Sequence, residues 1–117
     1  MMKNAVKHII TVLLLILVIS VAGQSRMIKN GQNAFRNNNF VEAVDFFKNA
    51  LPDARDSFTP NQLQQLVFKI GKCYLAMNRY EEALPWFGEA VSTGSYNTKH
   101  YLAYADALTL TEQTEQA

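Results

Sequence analysis

Apolar residues recur along this chain with the spacing of one face of a helix. They fall at Phe40, Ala43, Val44, Phe47, Ala50 and Leu51, and again at Tyr80, Ala83, Leu84, Phe87, Ala90 and Val91. Both sets follow i, i+3, i+4, i+7, i+10 and i+11, the stripe of an amphipathic α-helix. The stretches that carry them, NNFVEAVDFFKNA at 38–50 and NRYEEALPWFGEA at 78–90, are one phrase repeated forty residues on. Upstream the same offset matches Gly31 with Gly71, Ala34 with Tyr74 and Phe35 with Leu75. Each unit therefore reads as two helices. A glycine inside a helix costs about 1 kcal/mol against alanine, so its return at an equivalent place points to close helix packing. The alanine in mid-stripe of the second helix would let its neighbour approach.

Five helices are expected from the pattern. The first is expected from about Ser25 to Asn37, the second from Phe40 to Ala54, with Asn37-Asn38-Asn39 as a turn whose asparagines tolerate left-handed backbone and cap the second helix. Thr59, Pro60 and Gln62 form a capping signature, so the third helix starts at Pro60. It shows Leu63, Leu66, Val67, Ile70, Tyr74 and Leu75 on one face as far as Met77. The fourth runs from Tyr80 to Ser92 and stops at Thr93-Gly94. Pro85 falls early in it and off the stripe, so it disturbs only the first turn. The fifth begins near Asn97 or Thr98 and presents Tyr101, Tyr104, Ala105 and Leu108.

The start of the chain has a different pattern. Lys3, Lys7 and His8 precede the apolar run Ile9–Val21, with Ala22-Gly23 next. That is the layout of a secretory signal peptide, with Gln24 as the expected mature N-terminus. An uncleaved membrane anchor is the competing reading, though a span usually needs about 20 apolar residues. Of 117 residues, eleven are basic and ten acidic. Removing Lys3 and Lys7 with the leader leaves nine against ten, a charge of −1. No basic surplus remains to attract nucleic acid. Cys73 is the only cysteine, so no disulfide can form within the chain, and a half-buried packing thiol is expected.

Counted from Gln64 in a 34-residue unit, Val67 is fourth, Ile70 seventh, Gly71 eighth, Tyr74 eleventh, Ala83 twentieth, Phe87 twenty-fourth and Ala90 twenty-seventh. This resembles the tetratricopeptide repeat, with Ser95 where that family has its late proline. From Gln24 the same count gives Met27, Asn30, Gly31, Ala34, Ala43, Phe47 and Ala50, a copy that departs at Asn30 and Ala34. Six extra residues, Phe58 to Leu63, separate the copies, and a third starts at Thr98 and reaches its twentieth position at Ala117. The resemblance implies an all-α fold, an α-solenoid of antiparallel helix pairs. Its parts would be a signal peptide at 1–23, repeats at 24–57 and 58–97, and the first helix of a truncated repeat at 98–117. The repeat-packing residues would be Gly31, Ala43, Phe47, Gly71, Tyr74, Ala83, Phe87 and Ala90.

The resemblance also implies a protein- or peptide-binding concave face lined by the first helix of each repeat. The family's groove positions fall on Ile28, Gln32, Phe35 and Arg36, then Gln65, Phe68, Lys72 and Leu75, and in the third copy Lys99, Leu102 and Asp106. That mixture of apolar and basic groups suits a segment with acidic character. Ile28 stands where a chaperone-tail-binding member would have lysine. More narrowly, the leader, the glutamine start and FKIGKCYLAMNRYEEALPWFGEAV with the later YLAYADAL resemble the N-terminal repeat region of OmpA-family and type IX secretion-associated envelope proteins of Bacteroidota. That implies an exported scaffold, periplasmic or associated with the outer membrane.

No chemistry of catalysis is visible: no glycine-rich phosphate loop, nucleophile elbow or His/Cys ligand pair occurs. Glu81 and Glu82 are adjacent, hence about 100° apart on a helix, and read as a solvated face. No enzyme activity, cofactor or metal is expected. Two readings stand, an interaction module and a spacer for a neighbouring domain, and a dimer through the uncovered stripe of the fifth helix is compatible with either.

Overall fold

In the computed structural model, which describes residues 2–92 and 97–116, the chain is all-helical. The helices are α1 (Met2–Arg36), α2 (Phe40–Ser57), α3 (Pro60–Ala76), α4 (Tyr80–Ser92) and α5 (Thr98–Gln116). Each packs on the next, and α3 also touches α5. The core runs through all of them, from Ala34 and Phe47 by way of Val67, Ile70 and Phe87 to Ala107.

The two connecting turns are the same device. Asn38 and Asn78 both have φ 60°, the left-handed conformation that asparagine adopts more readily than most residues. Around the first, the N–H of Asn38 donates to Phe35 O (3.0 Å) and that of Asn39 to Ala34 O (2.9 Å). Around the second, Asn78 donates to Leu75 O (3.0 Å) and Arg79 to Tyr74 O (2.9 Å). Both are Schellman closures, which satisfy the last carbonyls of one helix while turning the chain. Asn39 does not cap α2 with its side chain as expected. Its amide donates instead to the Glu42 carboxylate. The start of α3 behaves as its sequence signature requires: Thr59 Oγ1 accepts from Gln62 N (3.2 Å) and Thr59 N donates to Gln62 Oε1 (3.0 Å).

Two boundaries differ by several residues. The first helix does not begin at Ser25 but runs unbroken from Met2, because the apolar run offers no proline or turn signal to stop it. The second passes through Pro52 to end at Ser57 rather than Ala54. Proline removes one hydrogen bond there, and its exposed ring leaves the buried side of the helix intact. The expected stop at Thr93-Gly94 lies outside the described residues. Among the described residues no helix is long and apolar enough to cross a membrane.

The fifth helix has a different register from the one expected. Its buried residues are His100, Ala107 and Thr111, whereas Tyr101 and Leu108 are exposed, as is Ala105, and Tyr104 is half-buried. The expected stripe mixed two faces. At an offset of 34, His100, Tyr104 and Ala107 correspond to Leu66, Ile70 and Cys73, while Tyr101, Ala105 and Leu108 correspond to Val67, Gly71 and Tyr74.

Candidate binding groove

The packing residues set the spacing of the helices. An added Cβ at Gly31 would stand 2.6 Å from the Phe47 ring, and one at Gly71 would stand 2.6 Å from Phe87. Ala43, Ala50, Ala83 and Ala90 are all fully buried, so α2 and α4 meet their neighbours over small side chains between large ones. Tyr74 is buried at 6 % exposure. Its ring lies beneath Lys48 Nζ (5.2 Å) and the Arg79 guanidinium (5.4 Å).

With α1 and α3 held in this way, a cavity of about 210 Å³ opens between them, lined by Gln32, Phe35, Arg36, Phe47, Lys69 and Lys72. Four of the expected groove residues, Gln32, Phe35, Arg36 and Lys72, thus come together. Lys72 Nζ sits 5.6 Å from the Phe35 ring centre and 5.8 Å from that of Phe68, a cation held between two π faces. Phe68 continues the aromatic line, 5.6 Å from Phe87 and 4.3 Å from the His100 ring. Ile28 and Leu75 are half-buried against the core, Gln65 is exposed, and Lys99, Leu102 and Asp106 are exposed on α5 without lining this cavity.

Lys69 is the lining residue that the sequence did not single out. Burial lowers its pKa, since a desolvated ammonium loses part of its hydration. Neither α1 nor α3 carries an acidic residue, and no acid lines the cavity. Across the molecule the charges are sorted by helix. From Gln24 onward, α1 holds Arg26, Lys29 and Arg36 and α3 holds Lys69 and Lys72, a sum of +5. On α2 the four acids Glu42, Asp45, Asp53 and Asp56 outweigh Lys48 and Arg55, and α4 holds Glu81, Glu82 and Glu89 with no base, a sum of −5. Two ion pairs lie on the acidic helices or the turn before α4: Arg55 with Glu89 at 2.6 Å and Arg79 with Glu82 at 2.6 Å.

The remaining reactive groups have structural surroundings. Cys73 is fully buried rather than half-buried, and burial pushes its thiol up to about 11. His100 is buried at 2 % exposure and is held below its ordinary pKa by desolvation. Among the described residues no three His, Cys, Asp or Glu side chains converge as a metal site. No protein-family model matches this chain, and no curated protein matches it.

Proposed function

We propose that this chain is an exported repeat protein of tetratricopeptide type, and that the groove between α1 and α3 holds an acidic segment of another protein. One observation carries the reading: a partly desolvated lysine, a second lysine between two phenylalanine rings and an arginine share a cavity with no counter-ion of its own. A carboxylate-bearing peptide with an apolar side chain would neutralise the cations and cover the rings. The repeated glycine–phenylalanine contacts and the paired asparagine turns support two copies of one helix-pair unit, at 24–57 and 58–97, with the start of a third from Thr98. The basic start and apolar run support export into the cell envelope, where a scaffold without catalytic groups would hold a partner in place.

Binding of a fluorescein-labelled peptide alternating glutamate with leucine and phenylalanine tests this, beside a counterpart with lysine for glutamate. The acidic peptide is expected to bind, more weakly as salt rises, and Arg36→Glu or Lys72→Glu should abolish binding. Glu81→Lys, outside the cavity lining, should not weaken it. Equal binding of both peptides, or indifference to the two reversals, would leave the helices as a spacer and remove the groove as a binding site.

A further inference from the structure

We propose that His100, which lies outside the groove, fixes where the Lys72 charge stands in it, acting through the ring of Phe68. The three side chains form a line. The His100 ring centre is 4.3 Å from that of Phe68, with the planes tilted by 35°, and Lys72 Nζ is 5.8 Å from the Phe68 ring centre. Phe68 and Lys72 stand one turn apart on α3, whereas His100 belongs to α5 and does not line the cavity. His100 is thus a positioning residue, and its consequence for binding rests on the groove being a peptide site.

Phe68 needs support to hold the charge. A cation is drawn to a ring face only within about 6 Å of its centre. At 5.8 Å from Phe68 and 5.6 Å from Phe35, Lys72 is close to that limit for both rings. A small swing of Phe68 therefore takes the ammonium out of its cradle. Phe68 is only half-buried, and a side chain with open space beside it exchanges between rotamers. Two rings restrain it, Phe87 at 5.6 Å and His100 at 4.3 Å, and both are buried to 2 % exposure or less. His100 is itself set by the start of α5. Its backbone N–H donates to Asn97 O (3.0 Å), and Asn97 Oδ1 accepts from Lys99 N (3.0 Å).

The neighbouring repeat has a different set of side chains at these places. Forty residues before Phe68 and Lys72 stand Ile28 and Gln32, and thirty-four before His100 stands Leu66. Two aliphatic side chains and an amide thus give way together to two rings and a cation. Leu66 is as buried as His100, at 2 % exposure, so filling the core at this place does not call for histidine. What the ring adds is a flat face against Phe68.

Nuclear magnetic resonance of the full chain, in detergent micelles that cover the leader's apolar run, tests this without any ligand. Ring currents of Phe35 and Phe68 should move the Lys72 ε-methylene protons upfield of those of Lys99, which is exposed on α5. Phe68→Leu and His100→Ala should both return them toward the Lys99 position, and His100→Phe should keep them upfield. The labelled peptide of glutamate, leucine and phenylalanine supplies the second readout. His100→Ala should weaken its binding several-fold and His100→Phe should not, while Tyr101→Ala, at an exposed neighbour, should change neither readout. Lys72 protons unmoved by His100→Ala, no rescue by His100→Phe, or a bound peptide indifferent to His100→Ala would each overturn the proposal. A parent chain that shows the shifts but binds no peptide would remove the groove as a binding site and leave the positioning by His100 intact.

Discussion

The ring of Phe87 presses on the backbone at Gly71, where a Cβ would stand 2.6 Å from Phe87 Cε1; forty residues earlier Phe47 presses on Gly31 at the same distance. Phe87 is fully buried and packs on Phe68, so its ring has nowhere to retreat. Gly71→Ala should therefore destabilise the fold. Overpacking costs typically about 1–3 kcal/mol, against a gain of about 1 kcal/mol from helix propensity. At Gly88 the nearest atom to an added Cβ is Tyr104 Oη at 3.7 Å, an ordinary contact. Gly88→Ala should keep the propensity gain and raise the midpoint of denaturant unfolding. If both alanines move the midpoint the same way, the close contact at Gly71 does not govern packing.

Ala83 is fully buried in the stripe of α4, while Glu81, two residues before it, is exposed. Leucine at 83 must find room between close-packed helices, a loss of roughly 1–3 kcal/mol. Leucine at 81 meets solvent and should change stability by less than about 0.5 kcal/mol. Thermal unfolding of Ala83→Leu and Glu81→Leu beside the parent separates the two positions. Equal melting of all three would mean that the α4 stripe does not pack where Ala83 sits.

How far the sequence disclosed this arrangement differs from helix to helix. The stripes of α2, α3 and α4 were legible because their large apolar residues sit on the faces they bury. Thr59 and Gln62 marked the start of α3 by the same logic, since the cap uses only neighbouring residues. In α5 the buried residues are a histidine, an alanine and a threonine, so periodicity pointed to the exposed tyrosine and leucine instead. Lys69 escaped notice because a lysine in a helix is ordinarily solvated. In the fold it shares a cavity with Phe35 of α1 and Phe47 of α2, and those neighbours are tertiary.

Cys73 offers a probe of how tightly α3 is held. The thiolate is the reactive form, and burial pushes this thiol up to about 11 despite the opposing influence of Lys72. At neutral pH the folded chain should resist a water-soluble disulfide reagent, and reaction should track opening of the helices. Denaturant should make it immediate. Rapid labelling of the native chain would mean that α3 is not sealed between its neighbours.

His100 should make the docking of α5 sensitive to acid. Its ring is buried, tilted by 35° against Phe68 with the ring centres 4.3 Å apart, and desolvation holds its pKa below the ordinary value of 6.5. The unfolded chain therefore binds a proton at a higher pH than the folded chain does. Stability attached to the neutral ring is fully present above about pH 6.5 and is lost progressively as pH falls toward and through the lower folded value. Most carboxylates titrate lower, near pH 4, so a loss between about pH 6.5 and 5 reports on histidine. Denaturant midpoints measured across that window should fall in the parent and remain level in His100→Phe, which keeps an aromatic ring against Phe68 without a titrating nitrogen. Hydrogen exchange should place the first loss of protection in α5, at Ala107 and Thr111, before α3 opens. A parent chain whose midpoint is flat across the window, or a variant that keeps the slope, would show that His100 titrates without burial and that α5 is held by its other contacts alone.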